Sequence, residues 1–123
     1  MQKEIETRFL DIDKDNLIKK IIALGGIDKC SELFQNIKLK PVRQIEKYRH
    51  TFELGDIVID IDTWQKIPVY AEIEGVSVES LKNICGKLGL DWDKRFDGYA
   101  LEVFSHYGHN MDNLSIITFG EFK

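Results

Sequence analysis

Charged side chains recur at every second position in four short stretches of this sequence, and they are the residues best suited to chemistry. In a β-strand, residues two apart lie on the same face of the sheet, so each stretch would present its charges together. The residues are Glu4, Glu6 and Arg8; Lys47 and Arg49; Asp60 and Asp62; and Glu72 and Glu74. Taken alone, each set is also typical of the solvent-facing side of an ordinary strand.

The four stretches together indicate more than solvent-facing strands, because they could line one concave sheet or barrel. Clustered carboxylate oxygens bind hard divalent cations such as Mg²⁺ and Mn²⁺, and Lys and Arg side chains bind phosphate oxygens. A metal ion that bridges carboxylates and phosphates is usual in polyphosphate chemistry. Since like charges repel at close range, such a cluster indicates a ligand more than a scaffold.

Alternating hydrophobicity predicts the strands that would position these charges. Four strands are expected at residues 3–10, 45–54, 57–63 and 69–74. The second and third would form a hairpin across Gly55 and Asp56. In the third strand, Ile57, Ile59 and Ile61 would form the apolar face opposite the two aspartates.

Apolar residues at helical spacing predict three helices around the strands. The first follows the N-cap residues at 11–16 and ends at Gly25, the second runs from Ser77 to Gly89, and a shorter one lies between Asp97 and Tyr107. Residues 27–44 are ambiguous, because Ser31 could cap a short helix or the segment could form an irregular strand. The tail at 114–119 could add a short strand. This pattern predicts an α+β fold with a mainly antiparallel sheet.

Length and composition restrict the class of protein. At 123 residues the chain is the size of a single domain, and 43% hydrophobic with 31% charged residues excludes disordered and collagen-like classes. No apolar run approaches the roughly 20 residues of a membrane span. The charged N-terminus lacks a signal-peptide core, so we expect a cytoplasmic protein without membrane contact. An excess of 21 acids over 17 Lys and Arg residues argues against binding of a nucleic-acid polymer.

Three motifs carry a resemblance to a known family. EIETR at residues 4–8 is similar to an ExExK signature, and EKYR at 46–49 is similar to an EKxR strand. The most specific block is IDIDTWQKIPVYAEIEG at 59–75, similar to D-x-W-P-x-I-P-x-Y-x-E-I-E-G. The chain thus resembles the CYTH superfamily, the triphosphate tunnel metalloenzymes, which includes class IV adenylyl cyclases, thiamine triphosphatases and inorganic triphosphatases.

The resemblance implies an antiparallel eight-stranded barrel with a charged interior, and it implies roles for the charged residues. Carboxylates of the family hold Mg²⁺ or Mn²⁺, and its bases hold the triphosphate of a small molecule. The matched metal candidates are Glu4, Glu6, Glu72 and Glu74, with Glu6 also positioning water; the phosphate candidates are Arg8, Lys47 and Arg49; Asp60 and Asp62 stand on a lining strand, and which of them points inward is open.

Two functions follow from the resemblance. In the first, the chain is a metal-dependent enzyme that hydrolyses or cyclises a triphosphorylated small molecule, as a triphosphatase or an adenylyl cyclase does. In the second, it is a catalytically inactive, shortened CYTH module that binds polyphosphate, a nucleotide or a protein partner.

The sequence also departs from the family pattern. Family members carry several more strands before the EKxR strand, including an RxR pair, and no RxR occurs in this sequence. Arg8 stands where the signature has lysine, which keeps the charge but changes its geometry. We therefore expect one CYTH-like domain over residues 1–123, shortened between about residues 27 and 38, with flanking helices on a partial barrel. Since missing strands leave unpaired edges, we expect two copies to associate as a homodimer.

Overall fold

The fold, described by a computed structural model over residues 4–39 and 42–123, is α+β. The strands are β1 (Ile5–Phe9), β2 (Ile27–Leu39), β3 (Val42–Leu54), β4 (Ile57–Thr63), β5 (Tyr70–Gly75) and β6 (Ile116–Ile117). The α-helices are α1 (Lys14–Ala23), α2 (Val78–Lys87) and α3 (Ala100–His106). The predicted fold class is confirmed, and each of the four predicted charged strands is present; residue 3, the first residue of the predicted first strand, lies outside the described residues.

The strands form one sheet in the order β1-β5-β4-β3-β2. Each of these neighbours pairs in the antiparallel sense, whereas β6 runs parallel to the start of β3, at Gln44 and Ile45. Within the described chain, β1 and β2 each pair with a single named strand, so the sheet stays open. The result is a partial barrel with flanking helices, as predicted, with fewer strands than the eight that the resemblance implied.

Of the ambiguous segment at residues 27–44, the structure describes 27–39 and 42–44, and strand β2 is the irregular strand; residues 40 and 41 lie outside the described residues. Its residues pair with β3 from Ile27, opposite Glu53, to Leu39, opposite Val42, with register shifts along the way. The alternative of a short helix capped by Ser31 is wrong, because this segment makes backbone hydrogen bonds to a neighbouring strand. Cys30 lies at the first irregularity with φ of 74°, a conformation that is uncommon for a residue with a side chain.

The helices α1 and α2 begin where side-chain caps satisfy free backbone N–H groups. Asp13 accepts a hydrogen bond from the Asn16 N–H, and Ser77 does the same for the N–H of Ser80. The third helix begins at Ala100, three residues later than predicted. Its N-cap residue, Tyr99, makes no side-chain capping hydrogen bond, and the Asp97 carboxylate accepts a hydrogen bond from Thr7 Oγ1 at 3.0 Å.

The apolar face of the sheet packs against α1 and α2 to form the main core. This core contains Phe9, Leu17, Ile21, Phe52, Ile57, Ile59, Ile61, Ala71, Ile73, Leu81, Cys85 and Leu88. A second core joins α3 and β6 to the ends of β3, β4 and β5, and it contains Val42, Ile45, Trp64, Ile67, Tyr70, Val103, Phe104, Met111 and Ile117. The helices of the described chain include none that is both long and apolar enough to cross a membrane.

Candidate functional site

The charged residues of four strands meet on one face of the sheet. Cross-strand pairing sets Arg8 opposite Glu72, and Glu72 in turn opposite Asp60. Because residues directly opposite each other in a sheet lie on the same face, the alternating charges share one surface. We call this surface the charged face; it contains Glu4, Glu6, Arg8, Lys47, Arg49, Asp60, Asp62, Glu72 and Glu74. It therefore holds every site residue that the sequence predicted.

On β3 and β4, bases and acids are matched, and we call this part the paired end. Arg49 Nε and Nη2 donate to the two oxygens of Asp62 at 2.8 and 2.9 Å, a bidentate ion pair. Lys47 Nζ lies 3.5 Å from Asp62 Oδ2, and Thr51 Oγ1 donates to Asp60 Oδ1 at 2.6 Å. Both aspartates are buried, and both lie on the charged face.

Glu72 joins this paired end to strand β1. Its Oε2 accepts a hydrogen bond from Arg8 Nη2 at 2.9 Å and lies 3.6 Å from Arg49 Nη2. Burial raises the pKa of Glu72 even though Arg8 opposes that shift. Because Glu72 lies between the guanidinium groups of Arg8 and Arg49, it holds these two bases close to each other.

On the side of the charged face formed by β1 and β5, carboxylates outnumber bases. We call this part the acidic end. It contains Glu4, Glu6, Glu72 and Glu74 around Arg8. A hydrogen bond to Glu4, together with burial and the repulsion of nearby carboxylates, raises the pKa of Glu74 to about 7. Arg8 Nη2 lies 3.6 Å from Glu6 Oε1. One base among four carboxylates leaves an excess of negative charge, which favours a cation there.

Aromatic rings lie beside each of the three bases. Lys47 Nζ is 5.1 Å from the centroid of Trp64 and 5.8 Å from that of Phe34. Phe34 also lies 5.9 Å from Arg49 Cζ, and Tyr99 lies 5.6 Å from Arg8 Cζ. Such cation–π contacts hold the bases while excluding water from them. Accordingly, burial lowers the pKa of Lys47.

Several residues of this site were not predicted as site residues. Thr51 and Tyr70 follow the same alternation as Lys47 and Glu72, so spacing alone could have found them. The Tyr70 hydroxyl accepts a hydrogen bond from Trp64 Nε1 at 3.1 Å, which closes one end of the charged face. No spacing could have found Tyr99, because it approaches β1 through a loop distant in sequence.

The donor chemistry of the acidic end fits a hard divalent cation. Among the residues that the structure describes, no group of three His, Cys, Asp or Glu side chains is arranged to hold a metal ion by itself. Mg²⁺ is commonly held by one or two carboxylates together with substrate phosphates, and not by a cage of protein ligands. The carboxylates of β1 and β5 could supply the protein's part of such a shell.

Comparisons with known proteins identify the fold. No known protein-family model matches the chain, and no curated protein matches it. The similar solved structures include the PH1012 protein of Pyrococcus horikoshii OT3, with a TM-score of 0.63, and a conserved hypothetical protein from Pyrococcus furiosus, with a TM-score of 0.61. Each is 12% identical in sequence, and each match covers 82% of this chain and 99% of the other. The chain therefore shares its fold with these two proteins.

Proposed function

We propose that this protein binds a triphosphorylated small molecule together with Mg²⁺ or Mn²⁺ and hydrolyses or cyclises it. The observation that carries the proposal is the charged face itself. Three bases and a group of carboxylates, supplied by four strands, lie on one half-buried surface with aromatic rings beside the bases. A polyphosphate needs both kinds of group, because bases neutralise its oxygens and carboxylates hold its metal ion.

The bases are spaced to contact a chain of phosphates. Arg8 and Arg49 approach the same carboxylate oxygen of Glu72, at 2.9 and 3.6 Å. Lys47 lies beside Asp62, the partner of Arg49, so the three bases form a row across the sheet. Phosphate oxygens could replace these carboxylates as partners of the bases, since Arg binds carboxylate and phosphate with the same planar geometry. The row would then bind neighbouring phosphoryl groups.

The acidic end would hold the metal ion and position the attacking group. Glu72 and Glu74 would hold the cation, together with Glu4 or Glu6. The cation would neutralise charge that develops on the phosphate oxygens. Glu6 has a partly exposed side chain at the rim of the charged face, where it could orient a water molecule for hydrolysis. In a cyclisation, a substrate hydroxyl would take the place of that water and attack the α-phosphorus, and the bond to the β-phosphate would break to release pyrophosphate.

A phosphate-release assay tests this proposal. The substrates are tripolyphosphate, thiamine triphosphate and ATP, each with Mg²⁺ or Mn²⁺, and cyclic nucleotide formation is followed in parallel. We expect metal-dependent turnover that falls at least tenfold in Glu6→Gln and is unchanged in Glu79→Gln. Glu79 is the matched control, because it is exposed in the first turn of α2. Equal loss in both variants, or turnover that survives EDTA, would contradict the proposal.

A binding module without turnover is the second candidate, and the ion pairs of the paired end favour it. The bidentate pair between Arg49 and Asp62 satisfies the guanidinium without a ligand, so binding has to compete with it. This candidate predicts that tripolyphosphate with Mn²⁺ raises the melting temperature while no substrate releases phosphate. Turnover of any of the three substrates would exclude it.

A homodimer is the proposed assembly, since the open sheet leaves two edges. In the part of the chain that the structure describes, β2 spans 13 residues and β3 is the strand that it pairs with. An edge of this length presents unpaired backbone groups that another strand can pair with. Size-exclusion chromatography with light scattering at micromolar protein should give twice the mass of the 14.3 kDa chain. A compact monomer at that concentration would refute the dimer.

A further inference from the structure

An open groove borders the charged face where α3 begins. It has a volume of about 440 Å³ and is lined by Arg8, Tyr99, Ala100, Leu101 and Glu102. Arg8 belongs to the groove and to the charged face at once, so the two surfaces are continuous. A molecule whose phosphates lie on the charged face could therefore place its other end in this groove.

Tyr99 is the exposed aromatic wall of the groove. Its relative exposure is 66%, although it lies next to the buried Arg8 side chain. An aromatic ring with this much free surface offers a stacking platform for another planar ring. Leu101 and Ala100 add apolar surface beside it.

The segment before Tyr99 is held firmly against β1. Arg8 and Phe96 exchange two backbone hydrogen bonds, at 3.0 and 2.7 Å, and Arg8 Nη1 donates to the Gly98 carbonyl at 2.9 Å. A Cβ on Gly98 would lie 2.6 Å from Glu102 Oε2 and 2.7 Å from Phe96 Cε1, so a larger residue there would have to displace these side chains. Tyr99 is thus preorganised, which lowers the entropic cost of stacking.

Arg8 supplies a second observation that points to a ligand at this junction. Its side chain is only 7% exposed, yet within the described part of the chain its Nε has no hydrogen-bond partner. Buried donors of this kind are usually paired. An acceptor on a ligand that spans the groove and the charged face would satisfy it.

We propose that the Tyr99 groove binds the planar heterocyclic ring of a ring-bearing triphosphate, and that Tyr99 selects such molecules over inorganic tripolyphosphate. This inference rests on the proposed function, because the phosphates would lie on the charged face. Charge complementarity defines the orientation: the triphosphate lies toward Arg8, Lys47 and Arg49, and the ring lies toward Tyr99. Tyr99 is then a specificity-determining residue that does not contact the phosphates.

Titration calorimetry with two probes, ATP and inorganic tripolyphosphate, each with saturating Mg²⁺, tests the inference. Loss of one base–aromatic stack weakens binding by a factor of about ten. We expect Tyr99→Ala to raise the Kd of ATP by about tenfold and to leave the Kd of tripolyphosphate within about twofold. Tyr99→Phe should bind ATP as the unmodified protein does, because the ring is kept.

Tyr48→Ala is the matched control, since Tyr48 is an exposed tyrosine of β3 on the opposite face of the sheet. It should change neither Kd. If Tyr99→Ala weakens the binding of both ligands to a similar degree, or does not weaken the binding of ATP, the inference is wrong. The proposed function would be unaffected by either result. If the unmodified protein binds neither ligand, the proposed function fails and the inference with it.

Discussion

The two ends of the charged face have similar residues, but bases and acids are equal in number at one end and unequal at the other. At the paired end, two bases oppose two aspartates, and the Arg49–Asp62 pair is bidentate. At the acidic end, Arg8 is surrounded by four carboxylates, and the pKa of Glu74 rises to about 7 because of its acidic neighbours. The same alternation in sequence has therefore produced one end that neutralises itself and one that does not.

The charges of the paired end are neutralised within the protein, whereas the excess carboxylates of the acidic end are available to a ligand. Asp62 is almost completely buried, so its charge is tolerated because Arg49 lies beside it. At the acidic end Glu4, Glu6 and Glu74 are more exposed, and the described chain supplies fewer bases than carboxylates there. We therefore expect stability to depend on the paired end and cation binding to depend on the acidic end.

The largest expected effect is the loss of stability on removing the Arg49 charge. Arg49→Met would leave Asp62 buried without its bidentate partner, and breaking a buried pair on one side costs about 3 kcal/mol or more. We expect the free energy of unfolding, measured by urea denaturation, to fall by about that amount.

Arg95→Met is the control for this substitution. Arg95 is more exposed and interacts with the exposed Asp97, a surface pair that contributes roughly 0–1 kcal/mol. If the free energy of unfolding falls by a similar amount in the two variants, the Arg49–Asp62 pair stabilises the fold no more than an exposed ion pair does.

A smaller effect is expected from divalent cations at the acidic end. Millimolar Mn²⁺ should raise the melting temperature by about 4 °C, the equivalent of about 1 kcal/mol of binding in a domain of this size. Glu74→Gln should abolish most of this rise, measured against the variant's own metal-free melting temperature. Asp60→Asn, at the paired end, should keep it; the opposite ranking would show that the cation binds among the aspartates.

The smallest expected effect is the pH dependence that Glu74 confers on the metal-free protein. Its pKa is raised from 4.5 to about 7 on folding, so the folded state keeps a proton that the unfolded state has released. The contribution of Glu74 to stability should therefore decline as the pH rises from 4.5 to 7 and then level off. Glu74→Gln should remove this decline. Urea midpoints measured between pH 4.5 and 8 should therefore diverge from those of the unmodified protein. Parallel curves would contradict the raised pKa of Glu74.

Local alternation made the charged strands predictable. In β4, the run from Ile57 to Asp62 indicated both the apolar face and the charged face, since a strand has only two faces to offer. The helix caps Asp13 and Ser77 were predictable for the same reason, because a cap acts within three residues of its own position. Residue spacing is sufficient wherever the deciding contact is local.

Contacts between distant segments made the rest unpredictable. Strand β2 is determined by its pairing with β3, and its own residues fit a short helix equally well. Nor could spacing indicate that Asp62 pairs with Arg49 while Glu74 meets Glu4, because the register between strands decides which charges meet. Tyr99 shows the same limit, since a loop carries it to β1.

The position of β1 in the sheet implies an order of assembly for the charged face. The Arg49–Asp62 pair joins residues 13 apart in a hairpin, whereas Arg8 must reach Glu72 and Gly98, 64 and 90 residues away. Bringing residues that are distant in sequence together costs chain entropy, and this cost comes before the contacts between them can form. We therefore expect the paired end to form early, as a local hairpin, and the acidic end to form only after the chain has extended to residue 98.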